Sequence, residues 1–196
     1  MNPRALATPQ AMLARAGSIV PYLTPEEVAD LAEACQGRNH HRNRLLILTL
    51  FQTGLRISEA LSLTPRKIGS HEGYAALHIR GKGSKDRIVS CPENLTHQLK
   101  SYAFDRRLGL DDPIFPIGRK MAWVIVKRAA AAAGLQKQVW PHLLRHSDAI
   151  ERLRQTGNPK ALQIHLGHSS PLMTLRYLST LTAQDALRIQ RQVNFS

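Results

Sequence analysis

Cysteine is nearly absent. Only Cys35 and Cys91 occur, far apart and outside any C-x-x-C pattern, so neither a disulfide framework nor a zinc site is supported, and a reducing cytoplasm is the expected compartment. No apolar run approaches the roughly 20 residues that span a bilayer, and Arg4, Pro9 and Arg15 interrupt any secretory core near Met1. No membrane partner is expected. Internal repeats, long linkers and a metal-binding cluster of carboxylates are also missing. Acids are scarce where bases gather: from Pro113 onward there are twelve Lys/Arg against three acids, compared with fifteen against eleven before it.

What is present fits one domain with one substantial core in 196 residues. A formal charge of +13 makes a polyanion the expected partner, nucleic acid first among them. The acid-free stretch 1–23 resembles a transit peptide in composition but is read as an extension that is ordered or touches DNA. Thr24-Pro25-Glu26-Glu27 is a capping box that predicts a helix over Pro25–Cys35. A buried helix is expected over Arg42–Gln52, stopped by Gly54, and a short one over Ile57–Leu63. Tyr74–Ile79 and Arg87–Cys91 read as strands flanking a lysine-bearing turn, Gly81-Lys82-Gly83-Ser84-Lys85. Further helices are expected over Pro92–Arg107, Gly118–Ala133, His142–Thr156 and Pro159–Gly167, then from Pro171 through Tyr177, with a last segment capped at Thr182. The fold class is α+β, mostly α: a helical domain with a small antiparallel hairpin or three-stranded sheet.

Chemistry concentrates in a few motifs. His142 and Arg145, at i and i+3, share a helix face and can address one phosphate. Arginine suits that task because its planar fork grips two oxygens and stays charged. Alone the pair is weak evidence. It gains specificity from Leu166-Gly167-His168 and Tyr177 downstream and from Thr53-Gly54-Leu55-Arg56 upstream.

Together these motifs resemble the tyrosine recombinase (phage integrase) family over roughly Thr24 to Leu178, in the form of its catalytic domain. The resemblance matches Arg56, Lys82, His142, Arg145, His168 and Tyr177 to the family's catalytic set, and Glu59 to an acid that steadies the site. It implies DNA breakage and rejoining at specific sites through a covalent 3′-phosphotyrosyl intermediate, with no metal, ATP or other cofactor. In that scheme Arg56 and Arg145 neutralise the phosphate oxygens, His142 relays the tyrosine proton, His168 donates to the phosphate and Lys82 protonates the departing 5′-hydroxyl. Double-stranded DNA, a homotetramer on it and an accessory DNA-binding protein are the implied partners. One departure stands out: Arg56 lies too near Met1 for the family's usual N-terminal domain, as in short recombinases that operate inversion switches, or a catalytic domain taken from something longer.

The organisation expected is therefore an extension over 1–23, a catalytic domain over 24–181 and a C-terminal segment over 182–196. That segment's stripe of Ala183, Ala186, Leu187 and Val193 favours docking on a neighbouring protomer over packing at home. A type IB topoisomerase-like relaxase and a non-catalytic DNA-binding regulator are the alternative functions. Lys82 is preferred over Lys85 on family position. His142 and His146 have zinc-protease spacing, but Leu143 stands where that motif needs glutamate. His165 reads as a core or surface histidine, the pair His40-His41 as facing solvent or a phosphate, and Asp148 as pointing away from the site or holding a neighbouring base.

Overall fold

Thr24 opens the first helix by the expected reciprocal cap: its hydroxyl accepts the Glu27 N–H while the Glu27 carboxylate accepts the Thr24 N–H at 2.9 Å. The computed structural model describes residues 21–80 and 86–194. Helix α1 (Pro25–Glu33) stops two residues short of Cys35 and buries Val28, Leu31 and Ala32. α2 (His40–Thr53) runs through the centre, with Leu45, Leu46, Ile47 and Leu50 fully buried. α3 (Ile57–Leu61) follows, opened by Arg56, whose N–H is bound by the Glu59 carboxylate at 2.8 Å.

The sheet has three antiparallel strands in the order β1 (Ile68–His71), β2 (Tyr74–Arg80) and β3 (Asp86–Ser90). Ile68 pairs with Leu77 and His71 with Tyr74, and Leu77 pairs with Val89 across the second ladder. Glu72 and Gly73 both take positive φ, the requirement of a two-residue hairpin turn between β1 and β2. The turn between β2 and β3, with Lys82 and Lys85, lies outside the described residues. α4 (Glu93–Asp105) packs on β1 and β2. α5 (Arg119–Ala132), α6 (Pro141–Thr156) and α7 (Pro159–Leu166) complete the main body.

One element of the C-terminal part departs from the sequence reading. α8 (Leu172–Leu175) ends before Tyr177, which sits between it and a 3-10 turn at Leu178–Thr180. α9 (Ala183–Gln190), opened by a Thr182–Asp185 capping box, packs on its own domain. Ile189 lies against Gly157, and Asp185 pairs with Arg154 at 3.6 Å. Leu187 and Val193, from the expected docking stripe, stay exposed.

Leu45, Leu46, Leu50, Leu77, Leu99, Val126 and Leu144 belong to one apolar core, and Leu23 joins it, so packing begins before the capping threonine. A smaller cluster of Ala149, Ile150, Leu153, Leu162, Leu166 and Tyr177 lies under the C-terminal elements. The junction of α2 and α3 is tightly packed. Gly54 ends α2 in the left-handed region, and a Cβ there would lie 2.3 Å from Asp148 Oδ2 and 2.8 Å from a Leu166 methyl. Gly54→Ala is accordingly expected to destabilise the protein by roughly 3 kcal/mol, from backbone strain and overpacking together, as read by urea unfolding.

Candidate active site

Arg56 enters the site from the start of α3. Its guanidinium binds Glu59 at 3.0 Å and reaches the Gly167 carbonyl at 3.4 Å, leaving the side chain about 38% exposed. Glu59 is itself buried and is gripped bidentately by Arg87 at 2.8 and 2.9 Å. Burial pushes its carboxyl up, but Arg87 and Arg56 outweigh that and hold it at about 2. The acid thus stays charged and ties the Arg56 turn to β3.

Arg145 occupies the opposite condition. It is 2% exposed, donating to the carbonyls of Gly54 and Leu166, the latter at 2.9 Å. Those two oxygens come from the ends of α2 and α7, so the positions where both helices stop fix the guanidinium. Burial, then the charge of Arg56, lowers its pKa to about 10, which leaves it charged at neutral pH.

Three imidazoles share this field. His168 follows the left-handed Gly167 and is hydrogen-bonded through Nδ1 to the buried Thr174 hydroxyl at 2.8 Å. His142 lines a cleft with Arg56, Ser58 and Arg119, and its ring lies edge-on to that of His146 at 4.2 Å. Burial and the surrounding arginines lower all three: His142 by direction, His168 to about 4 and His146 to about 3. All three are neutral at physiological pH.

The tyrosine partner differs from the sequence reading. Tyr177 is 2% exposed, and its hydroxyl lies 2.6 Å from Nδ1 of His146, with Arg176 against its ring. His142, expected to relay the proton, is one ring further away. Burial raises the phenol's pKa against the pull of Arg176 and Arg145, so it is protonated at rest.

Arg56, His142, Arg145, His168 and Tyr177 are therefore brought together, while Lys82 lies outside the described residues. Sequence reasoning passed over Arg87 and Arg119, and it weighed His146 only as half of a metal site with His142. For Arg87 a signal existed: in β3 it takes the same inward face as Val89 while Ile88 points out, so a cation stands where alternation calls for an apolar side chain. His146 had one too, lying one turn from His142 on the same helix face. His165, about 11% exposed, lies beside the buried Asp148, and Asp148 does hold a base, Arg152, at 2.7 Å. His40 and His41 are exposed, with His41 edge-on to Tyr102.

A mostly helical domain with a three-stranded edge sheet, two arginines gathered by glycine-terminated helices and a tyrosine in a following turn defines a tyrosine recombinase catalytic domain. The chain belongs to the phage integrase family, whose model matches residues 21–184. It is 34% identical over 171 residues to tyrosine recombinase XerD of Chlorobaculum tepidum, covering 79% of this chain and 56% of that protein. To tyrosine recombinase XerA of Pyrococcus furiosus it is 35% identical over 173 residues, covering 83% and 58%. The chain spans a little over half the length of these relatives. Among solved structures it resembles XerA recombinase with a TM-score of 0.72 and 26% identity, covering 91% of this chain and 67% of that one. The match to XerH site-specific recombinase bound to a palindromic difH substrate has a TM-score of 0.74 and 26% identity, over 89% and 54%. Among the described residues, no helix is long and apolar enough to cross a membrane.

Proposed function

We propose that this chain is a site-specific DNA recombinase that cleaves and rejoins strands through a 3′-phosphotyrosyl intermediate, using neither metal nor ATP. The observation that carries this reading is the buried 2.6 Å contact between Tyr177 and neutral His146, within the cationic field of Arg56 and Arg145. A phenol of ordinary pKa about 10 is a poor nucleophile unless a base accepts its proton and the phosphate is made electrophilic. His146 is the acceptor within reach of that proton, and the negative charge of an entering phosphate would offset the arginines and burial that hold its proton affinity low. The phenolate oxygen attacks the scissile phosphorus, and Arg56 and Arg145 neutralise the nonbridging oxygens as charge builds there. His168, oriented by Thr174, and His142, in the cleft beside Arg56, donate to the same phosphate. The P–O5′ bond breaks, and Lys82 supplies the proton that the departing 5′-hydroxyl takes up. The phosphotyrosyl ester conserves the bond energy, so a 5′-hydroxyl from another strand reverses the steps without an energy source.

Double-stranded DNA is the partner that this chemistry and a charge of +13 require. Exchange between two duplexes needs two cleavages in each, hence four nucleophiles and a homotetramer on DNA, with an accessory DNA-binding protein and a cytoplasmic setting completing the reading. At rest the nucleophile is enclosed, so engagement of DNA must open a path to the Tyr177 hydroxyl while His146 stays within reach of its proton.

Tyr177→Phe removes the attacking oxygen and keeps nearly all of the packing surface. On duplexes nicked near the cleavage position, the wild-type chain is expected to form a complex that survives denaturing electrophoresis. The variant should bind equally and form none. A variant that still becomes linked to DNA overturns the assignment, and relaxation of supercoiled plasmid without recombinant products points to a relaxase instead.

A further inference from the structure

Beneath the reacting groups, α6 buries an acid that strand transfer does not use. Asp148 is 3% exposed; its Oδ1 accepts from Arg152 at 2.7 Å, while its Oδ2 faces Nε2 of His165 on α7 at 3.9 Å. Neither facing atom is exposed, and neither has a hydrogen-bond partner among the described residues. Gly54 closes the remaining side, approaching Oδ2 so nearly that even a methyl group would collide with it.

This cluster sits on the end of α2, where three successive carbonyls would otherwise go unpaired. Arg152 donates to Gln52 O at 2.7 Å, the His165 imidazole bonds the Thr53 backbone, and Arg145 donates to Gly54 O. Leu166, directly after His165, supplies the other carbonyl of Arg145. The pair therefore adjoins both oxygens that aim that guanidinium. With one ring nitrogen committed to Thr53, neutral His165 presents Nε2 as an acceptor, and an ionised carboxylate presents only acceptors as well. Facing each other without a donor, both would be left unsatisfied. One proton between them satisfies both once the 3.9 Å gap closes to hydrogen-bond length.

We propose that Asp148 is protonated and donates this hydrogen bond to His165, and that the bridged pair, with Arg152, is a positioning element for Arg145. Its part in strand transfer rests on the function proposed above; the bridge itself does not. Arg145 and Arg152 on α6 and Arg87 on β3 are the charged groups around the pair, α2 contributes backbone only, and Tyr177 is the neighbouring titratable group. Burial pushes the Asp148 carboxyl up to about 6 against the pull of Arg152 and Arg145, and His165 down to about 3. The donor bond to His165 carries the carboxyl further in the same direction.

Asp148→Asn preserves the arrangement permanently, since the amide oxygen can accept from Arg152 while its NH2 donates to His165. Asp148→Leu removes both bonds. Nitrogen-15 NMR of the histidine-labelled wild-type protein at neutral pH is expected to find His165 neutral, with Nδ1 protonated and Nε2 accepting a hydrogen bond. The Asn variant should keep that tautomer and cleave within threefold of wild type, and the Leu variant should lose tenfold or more in cleavage at saturating DNA. The ratio of Asn-variant to wild-type cleavage should rise as the pH passes upward through the Asp148 titration, where the wild type alone loses its bridging proton. A protonated Nε2 in the wild type, or an Asn variant as impaired as the Leu variant, overturns the proposal. If the wild type does not cleave DNA, the recombinase reading fails and the NMR result alone still decides the bridge.

Discussion

Arg145→Lys is expected to abolish DNA cleavage and to cost about 3 kcal/mol of folding stability, although it preserves the charge. The guanidinium spans two carbonyls from different helix ends, Gly54 O and Leu166 O, at a position only 2% exposed. A lysine ammonium is a point donor on a flexible stem and cannot reproduce that fork, so at least one buried carbonyl is left unpaired, at about 1–3 kcal/mol, beside a poorly placed buried charge. Arg145→Ala should be worse for the fold, by about 3–5 kcal/mol, as when one member of a buried polar set is removed. Arg56 provides the contrast. Being about 38% exposed, with its Glu59 partner still held by Arg87, it should yield Arg56→Ala with near-normal stability, lost cleavage and a salt dependence of DNA binding flattened by about one unit. Urea unfolding and covalent trapping on the same preparations separate the two effects. Equal stability losses for both arginines would show that the Gly54 and Leu166 carbonyls do not hold Arg145.

How much of this was legible depends on whether a residue's role is local or assembled. The capping box at Thr24, the stops at Gly54 and Gly167 and the His142–Arg145 face are short-range matters of backbone conformation and helical spacing, and they appear where the sequence puts them. β1 was not delineated because Ile68-Gly69-Ser70-His71 has no apolar alternation; the positive-φ turn at Glu72-Gly73 and the ladder to β2 form it. The segment through Tyr177 has helical composition, yet the helix stops at Leu175. There, Thr174 is hydrogen-bonded to His168 and Tyr177 to His146, and these tertiary bonds override local propensity. The home docking of α9 depends on Ile189 meeting Gly157, two positions no short window connects. The bond between His146 and Tyr177 belongs to the same class, and helical spacing alone does not say which of the two imidazoles of α6 meets the phenol.

Stability is expected to fall steeply as the pH is lowered from about 6.5 toward 4.5, well before ordinary carboxylates titrate. His146 and His168 are held neutral in the fold, at about 3 and about 4, because burial and nearby cations oppose their charge. Groups whose folded pKa is depressed bind more protons in the unfolded chain, so their contribution is complete above the unfolded value near 6.5 and drains away as the pH drops toward the folded value. Each contributes about 1.4 kcal/mol per pH unit over that span, or roughly 2.7 kcal/mol per unit for the two. His165, lowered to about 3, would add a third such contribution, but Asp148, raised to about 6, acts with the opposite sign. Near pH 5 the folded pair holds its proton on Asp148 and the unfolded chain holds one on His165, so the two nearly cancel. The two uncompensated histidines remove about 4 kcal/mol by pH 5 and about 6 kcal/mol by pH 4, which is as much as the whole stability of a domain at the low end of the usual range of about 5–15 kcal/mol. Urea unfolding at half-unit steps from pH 7.5 to 4.5 measures the slope directly. His146→Gln should flatten it by about one proton, and Asp148→Asn should steepen it by about one, because the compensating carboxyl is gone. A wild-type slope near zero across this range would mean that the histidines around Tyr177 are already charged in the fold, and His146 could then no longer accept the tyrosine proton.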